Sequence, residues 1–302
     1  MDTNILLENG TNELEILEFT LGDNHYGINV AKIREILSYQ PVTPIPNTHE
    51  CIEGIFMPRD IMITVYDLRK CLGLDTGEAG GLFIITNFNQ LNIAFHVDQV
   101  IGIHRFSWTE IIKPDSSVNI EDRGISTGVV KLEKKLIVIL DFEKIVTDIS
   151  PETGLKLSDI DKLGERHRCD LPVLISEDSQ LLSKLITDCL QKAGYSNLIV
   201  TTNGQEAWDK LVELRDKGTV VDDVKCIVTD IEMPLMDGHR LTKLCKSDEQ
   251  LRDIPLIIFS SLVNDEMRRK GEQLGANAQL SKPEIGELVQ TIDRLIGVQN
   301  EE

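Results

Sequence analysis

The stretch Val224-Lys225-Cys226-Ile227-Val228-Thr229-Asp230-Ile231-Glu232-Met233-Pro234 constrains the fold most strongly. An apolar run rich in β-branched residues ends on Asp230, Pro234 stops it, and Met236-Asp237-Gly238 follows as a turn. A buried parallel strand reads this way, delivering a carboxylate to the C-terminal edge where α/β sheets place their chemistry. The surrounding sequence repeats the pattern. Strand-like runs at Val173–Ser176, Asn197–Thr201, Lys225–Thr229, Leu256–Ser260 and Ala278–Leu280 alternate with helical ones at Gln180–Lys192, Gly204–Lys217, Gly238–Lys246, Asp265–Leu274 and Glu284–Leu295. In the first helix Leu181, Leu182, Leu185, Ile186, Cys189 and Leu190 fall on one amphipathic face. Five βα units predict a parallel sheet covered on both faces. Right-handed crossovers then bring the C-terminal ends of all five strands to one edge.

That edge gathers Glu177-Asp178 after the first strand, Asp230 after the third, Ser260 at the end of the fourth and Lys282, followed by Pro283, after the fifth. Crowded carboxylates repel one another and raise their own pKa values. A hard divalent cation such as Mg²⁺ relieves this, bound through carboxylates, waters and phosphate oxygens. A hydroxyl and an ammonium opposite would grip a phosphoryl group on Asp230, which completes the inventory of phosphoryl transfer.

In this order, these residues resemble the response-regulator receiver domain, a CheY-like α/β doubly wound fold, over residues 171–298. The resemblance implies Asp230 as phosphoacceptor and Glu177, Asp178, Asp230 and the backbone carbonyl of Glu232 as Mg²⁺ ligands. It implies that Ser260 and Lys282 contact the phosphoryl group, and that Lys282-Pro283 is a cis peptide, which only proline makes cheap. One departure concerns output. Three residues before Lys282, where many receivers carry Tyr or Phe, stands Gln279, so signalling through a rotating aromatic cannot operate here. A second reading of the same residues is a metal-dependent phosphohydrolase with Asp230 as nucleophile and Glu232, two residues on, as general acid. A third is a scaffold with a silent receiver.

The first half is built differently. Short strand-like runs at Leu17–Leu21, Tyr26–Asn29, Ile61–Tyr66, Leu82–Thr86, Leu91–Val97, Gly128–Leu132 and Leu136–Leu140 are separated by dense turn signals, among them Gly22-Asp23-Asn24, Asn87 to Gln90 and Lys113-Pro114-Asp115. Such a pattern predicts barrels or a sandwich. Val30–Leu37, Asp67–Leu72 and Asp141–Val146 read as short helices. No catalytic constellation is visible, and His96 and His104 read as core or surface histidines. Phe19-Thr20-Leu21-Gly22-Asp23, Tyr26-Gly27-Ile28-Asn29-Val30, Gly54 to Asp60, and Ile61–Val65 leading into Asp67-Leu68-Arg69 and Leu72-Gly73-Leu74 together resemble the CheW family of chemotaxis coupling proteins. The resemblance implies two small five-stranded β-barrels packed together, which bind the histidine kinase CheA and the cytoplasmic tips of chemoreceptors. Where that family shows Asn-Leu-Arg-Gly, this chain has Met57-Pro58-Arg59-Asp60; only Arg59 is retained, as a partner-binding candidate, and the Pro-Arg-Asp form resembles the CheV subgroup.

The expected organisation is therefore a polar leader at 1–14, an all-β coupling domain at 15–150, a partly ordered linker at 151–170 and the receiver at 171–298. Charge supports neither nucleic acid nor anionic lipid as a partner. Residues 1–150 carry 12 Lys and Arg against 22 Asp and Glu, a net −10, and residues 151–302 carry 19 against 28, a net −9. No positively charged signal region opens the chain, no apolar run approaches the ~20 residues of a membrane span, and no two of the six cysteines form a CxxC. A cytoplasmic protein at membrane-associated receptor arrays is expected, not an enzyme. It would link receptors to CheA and be regulated, or act as a phosphoryl sink, through Asp230.

Overall fold

The computed structural model describes residues 13–75, 80–88, 91–112, 125–132, 135–151, 155, 158–261 and 265–298. The leader up to residue 12 and the turn at Lys113-Pro114-Asp115 lie outside them. The chain divides into two compact units, Glu13–Thr153 and, beyond it, Gly154–Glu302.

Among the described residues ten strands make the first unit: β1 (Glu13–Leu21), β2 (Asn24–Asn29), β3 (Ile33–Ser38), β4 (Ile52–Phe56), β5 (Ile63–Asp67), β6 (Leu82–Phe88), β7 (Leu91–Val97), β8 (Gln99–Ser107), β9 (Ser126–Leu132) and β10 (Lys135–Leu140). They form two five-stranded sheets, ordered β8-β1-β2-β10-β9 and β3-β6-β7-β5-β4. Each sheet closes on itself through a bridge from the chain just beyond its first edge strand: Ile112 pairs with Val129 of β9, and Thr43 with Ile55 of β4. At each bridge two reciprocal backbone hydrogen bonds pair groups that an open edge would expose. Alternation along β1 sends Leu17, Phe19 and Leu21 into a core shared with Tyr66, Ile84 and Phe95 of the second sheet, while Ile16 enters the interior core of the first with Val130 and Ile137. A clamp joins the sheets as well. The guanidinium of Arg69, in α1 (Leu68–Cys71), grips Asp98 between β7 and β8, and Asp98 also accepts the Gly22 N–H at 2.6 Å. Helix α2 (Phe142–Ile149) ends the unit, its N-terminus capped by Asp141.

The helix expected over Val30–Leu37 is instead a 3₁₀ turn at Val30–Lys32, capped by the Asn29 side chain, followed by β3. Ile33, Ile36 and Leu37 have helical spacing in sequence. Antiparallel pairing of β3 with β6, Ile36 opposite Ile84 and Leu37 opposite Phe83, overrides it.

The second unit alternates strand and helix: β11 (Val173–Ser176), α4 (Gln180–Lys192), β12 (Leu198–Thr201), α5 (Gly204–Asp216), the short α6 (Val220–Asp223), β13 (Cys226–Thr229), α7 (Gly238–Ser247), β14 (Leu256–Ser260), α8 (Asp265–Gln273), β15 (Ala278–Ser281) and α9 (Ile285–Ile296). The sheet is parallel throughout, in the order β12-β11-β13-β14-β15. Its central strands are buried along their length, as the near-continuous apolar runs require. One face packs Ile186, Leu190, Leu288 and Ile292 of α4 and α9; the other packs Leu211, Leu241 and Met267 of α5, α7 and α8.

Much of the expected linker belongs to this unit. Helix α3 (Ser158–Asp161) buries Ile160 among residues of α4 and α9, with Leu155 and Leu163 packed beside it. Asp161 pairs with Lys192 at 2.6 Å. Arg166 donates from Nη2 to both carboxylate oxygens of Asp293 at 2.8 Å and from Nε to the Ala193 carbonyl, and Tyr195 Oη donates to Asp293 at 2.5 Å.

Candidate functional site

Parallel strands that end together place the candidate residues. Each leaves its strand by one step and keeps one more ladder bond. Glu177 N donates to Thr201 O (3.1 Å), Asp230 N to Ser176 O (3.0 Å) and Lys282 N to Ser260 O (3.2 Å). Glu177, Asp230 and Lys282 are thereby held on rigid backbone at the C-terminal edge. Ser260 ends β14 opposite Ser281 and is buried.

Carboxylate oxygens of Glu177, Asp178 and Asp230 lie within 4.8 Å of one another. The Lys282 ammonium, 3% exposed, sits between two of them, 2.8 Å from Asp230 Oδ2 and 2.9 Å from Glu177 Oε2. Asp230 Oδ1 accepts the Ile231 N–H at 2.6 Å, and Glu177 Oε1 accepts the Ser179 N–H at 3.2 Å. Lys282 thus pairs with two of the three clustered acids. Burial pushes the Glu177 carboxyl up to about 8; the Lys282 charge opposes the rise, and Asp230 and Asp178 add to it. Such an excess of buried negative charge fits a hard divalent cation bound through oxygen. Glu177 Oε2, contacted by an ion pair but by no well-directed hydrogen bond, is an oxygen a cation would satisfy.

The loop after Asp230 is shaped by backbone approach. A Cβ on Gly238 would stand 1.9 Å from Asp230 O, and one on Gly204 would stand 2.4 Å from Met236 O. Gly238 N donates to Ile231 O and Gly204 N to Met236 O. Both glycines open helices where the sequence predicts them, Gly238 at the end of its predicted turn, and follow the capping residues Asn203 and Asp237; their close backbone approach leaves no signal of its own in the sequence. Glu232 is half-buried in this loop. The cis peptide expected at Lys282-Pro283 is a correction: among the described residues no peptide bond is cis. A local turn accommodates the trans bond, with Glu284 N donating to Ser281 O and the Glu284 carboxylate accepting from Ser281 N; the intrinsic preference between the two isomers at proline is only about 0.5–1 kcal/mol. Gln279 faces α8, its Oε1 2.4 Å from where a Gly271 Cβ would stand, and its amide is buried without a hydrogen-bond partner.

Arg59 lies in the other unit. Its loop holds two successive non-glycine residues in the left-handed region, Arg59 (φ 53°) and Asp60 (φ 62°). Asp tolerates this conformation better than most residues, so Asp60 can stand where a glycine would be the default. The turn thrusts the Arg59 side chain outward, 75% exposed and 3.2 Å from Glu35, between the exposed Met57 and Met62.

The CheW-like domain family matches residues 15–150, and the response regulator receiver domain family matches residues 173–293. Chemotaxis protein CheV3 of Helicobacter pylori is 28% identical over 302 residues, covering 94% of this chain and 95% of that protein. Chemotaxis protein CheW of Thermotoga maritima is 27% identical across 49% of this chain and 98% of its own length. Polar-differentiation response regulator DivK of Brucella anthropi is 33% identical across 41% of this chain and 95% of its own. Fold and site define a two-module class, a CheW-like β domain followed by a response-regulator receiver. Within it, the chain is similar along 94% of its length to the chemotaxis proteins CheV3 and CheV2 of Helicobacter pylori, each 28% identical.

Proposed function

We propose that the chain couples chemoreceptors to the histidine kinase CheA through its CheW-like unit, and that phosphorylation of Asp230 in the receiver regulates this coupling or drains phosphoryl groups from competing regulators. The observation that carries the reading is the Lys282 ammonium set between Asp230 and Glu177 on the sheet edge of a chain that also bears a CheW-like domain. A cytoplasmic place at receptor arrays follows from those partners.

In the transfer, the N–P bond of a phosphohistidine breaks and an O–P bond forms to the Asp230 carboxylate; the departing imidazole nitrogen takes up a proton. Ile231 N pins Oδ1, which leaves Oδ2 to attack as Lys282 turns from it to the incoming phosphoryl oxygens. Ser260 would contact the same oxygens. Glu177, Asp178, Asp230 and the Glu232 carbonyl would hold Mg²⁺, which supplies charge neutralisation between phosphoryl group and acids. Arg59, projected from its strained turn, would meet an acidic group on CheA or a receptor tip. Incubation with phosphorylated CheA and Mg²⁺, following label transfer and receptor-coupled kinase activity together, tests the reading. Steady phosphate release from a small phosphoester would instead identify a phosphohydrolase.

A further inference from the structure

His96 of β7 has a hydrogen-bond acceptor at each ring nitrogen. Nδ1 lies 2.8 Å from Glu53 Oε2 of β4, and Nε2 lies 2.6 Å from the Gly80 carbonyl. A carbonyl oxygen only accepts, and an ionised carboxylate only accepts. Both ring nitrogens must therefore donate, which a neutral imidazole cannot do. The surroundings suit a cation. The Tyr39 ring lies 4.9 Å from the imidazole and the Phe83 ring 5.4 Å, and Tyr39 Oη donates to the other Glu53 oxygen at 3.2 Å. Asp67, at the end of β5, adds negative charge, and Lys70 of α1 bears on Glu53. Burial works against the charge, but the Glu53 and Gly80 hydrogen bonds outweigh it and raise the imidazole above its ordinary value. The approach is built into the backbone. Gly81 has φ +105°, and a Cβ there would stand 2.3 Å from Val97 O and 3.1 Å from His96 Nε2. Gly81 O in turn accepts the Tyr39 N–H at 3.1 Å.

We infer that His96 is a protonation-controlled latch of the coupling domain: as an imidazolium it ties the Gly80–Gly81 segment to Glu53, and loss of its proton releases that segment. Glu53 immediately precedes Gly54 on the strand that leads into the Met57–Asp60 turn. The latch therefore joins the approach to β6 with the strand that carries the Arg59 loop. Sign follows from chemistry: the tie holds while the imidazole keeps both protons and Glu53 stays ionised, and it is lost as pH rises through the His96 titration.

Nitrogen-detected NMR of the full chain, labelled with ¹⁵N at histidine rings, reads the protonation state directly. Both His96 nitrogens should be protonated at pH 7. Glu53→Gln should move the titration midpoint down by at least one pH unit, a tenfold change in proton concentration. The Tyr39 amide should lose at least tenfold of its hydrogen-exchange protection across the titration, after correction for intrinsic base catalysis. A single neutral tautomer at pH 7, or Tyr39 protection that stays constant across the titration, would overturn the inference.

Discussion

Lys282 Nζ lies 2.8 Å from Asp230 Oδ2 although the strands those residues follow are separated by β14. The ammonium spans one strand to reach the acid, and it also neutralises Glu177. Removing one member of a buried ion cluster leaves the others uncompensated, at a cost of about 3–5 kcal/mol. Lys282→Met is expected to lower receiver stability by about that much at pH 7, and added Mg²⁺ should restore part of it. Urea unfolding followed by Trp208 fluorescence in a Trp108→Phe background isolates this unit. An unfolding free energy equal to the parent's would contradict the assignment of Lys282 as the counter-charge.

Asp230→Asn should abolish acid-labile phosphorylation by phosphorylated CheA, since the amide oxygen is a poor nucleophile. Asp178→Ala should leave the acceptor in place and weaken Mg²⁺ binding at least tenfold by calorimetric titration. Undiminished labelling of the Asp230→Asn protein would sink the phosphoacceptor assignment.

The receiver was legible in sequence because parallel strands buried on both faces are continuous apolar runs, and the acids sit where those runs stop. The β unit was harder to read. Strand β4 leaves no clear strand signal in the sequence because Gly54, at φ +147° and hard against the Thr43 carbonyl, sits on a register shift between Ile52 and Gly54. Strand β8 carries Gly102, opposite a second irregularity at Glu18/Phe19. Glycine inside a strand reads as a turn until its neighbours are known. His96 and His104 could not be separated from ordinary core or surface histidines, because their carboxylate partners lie 43 and 86 residues away. Ionic partners at that separation leave no local pattern.

Glu18 illustrates the same point and supplies a pH prediction. It is fully buried and accepts hydrogen bonds from His25 Nδ1 and His104 Nε2 at 2.6 Å and from Lys135 Nζ at 2.5 Å. Burial pushes its carboxyl up, but the hydrogen bonds from Lys135, His104 and His25 outweigh this and hold it below the usual range. A carboxyl with a depressed folded value contributes stability above its unfolded pKa of about 4.3 and loses it as pH falls through the folded value. Glu18→Gln should therefore destabilise the β unit at pH 7 by about 1.5–3 kcal/mol, the worth of hydrogen bonds to a charged group. The difference from the parent should close in strong acid. Trp108 fluorescence in a Trp208→Phe background follows it; a difference that widens on acidification would refute the account.

Arg59 separates binding from stability. Its pair with Glu35 is exposed at the arginine end, and surface pairs of this kind are worth about 0–1 kcal/mol. Arg59→Glu should leave the unfolding midpoint of the β unit nearly unchanged while weakening capture of CheA or of a receptor tip at least tenfold. Equal capture by the two proteins would remove Arg59 from the partner surface.

Arg166 and Asp293 set a last expectation, for the segment that joins the units. Residues 155–170 do not serve as a free tether along their whole length, because Ile160 is buried against α9 and Arg166 grips Asp293 beside Tyr195. These contacts lie at the N-terminal edge of the sheet: Cys169 bridges to Tyr195 just ahead of β11 and β12. Asp230 lies at the opposite edge, a strand's length of roughly 13 Å away for four residues at ~3.3 Å each. Arg166→Ala leaves the Asp293 carboxylate with its Tyr195 bond but no counter-charge from the linker, and should cost the receiver about 3–5 kcal/mol. The chemistry at Asp230 should be untouched, so phosphoryl uptake from CheA should stay within about twofold of the parent at temperatures where both are folded. Loosening this segment lengthens the effective tether, and effective concentration falls steeply once a linker exceeds the span it must cover. The phosphorylation-dependent change in receptor-coupled kinase activity should therefore weaken in Arg166→Ala even though Asp230 is labelled normally. Parent-like regulation in the variant, with hydrogen exchange confirming that residues 158–168 have come loose, would show that the packed linker has no part in carrying the signal.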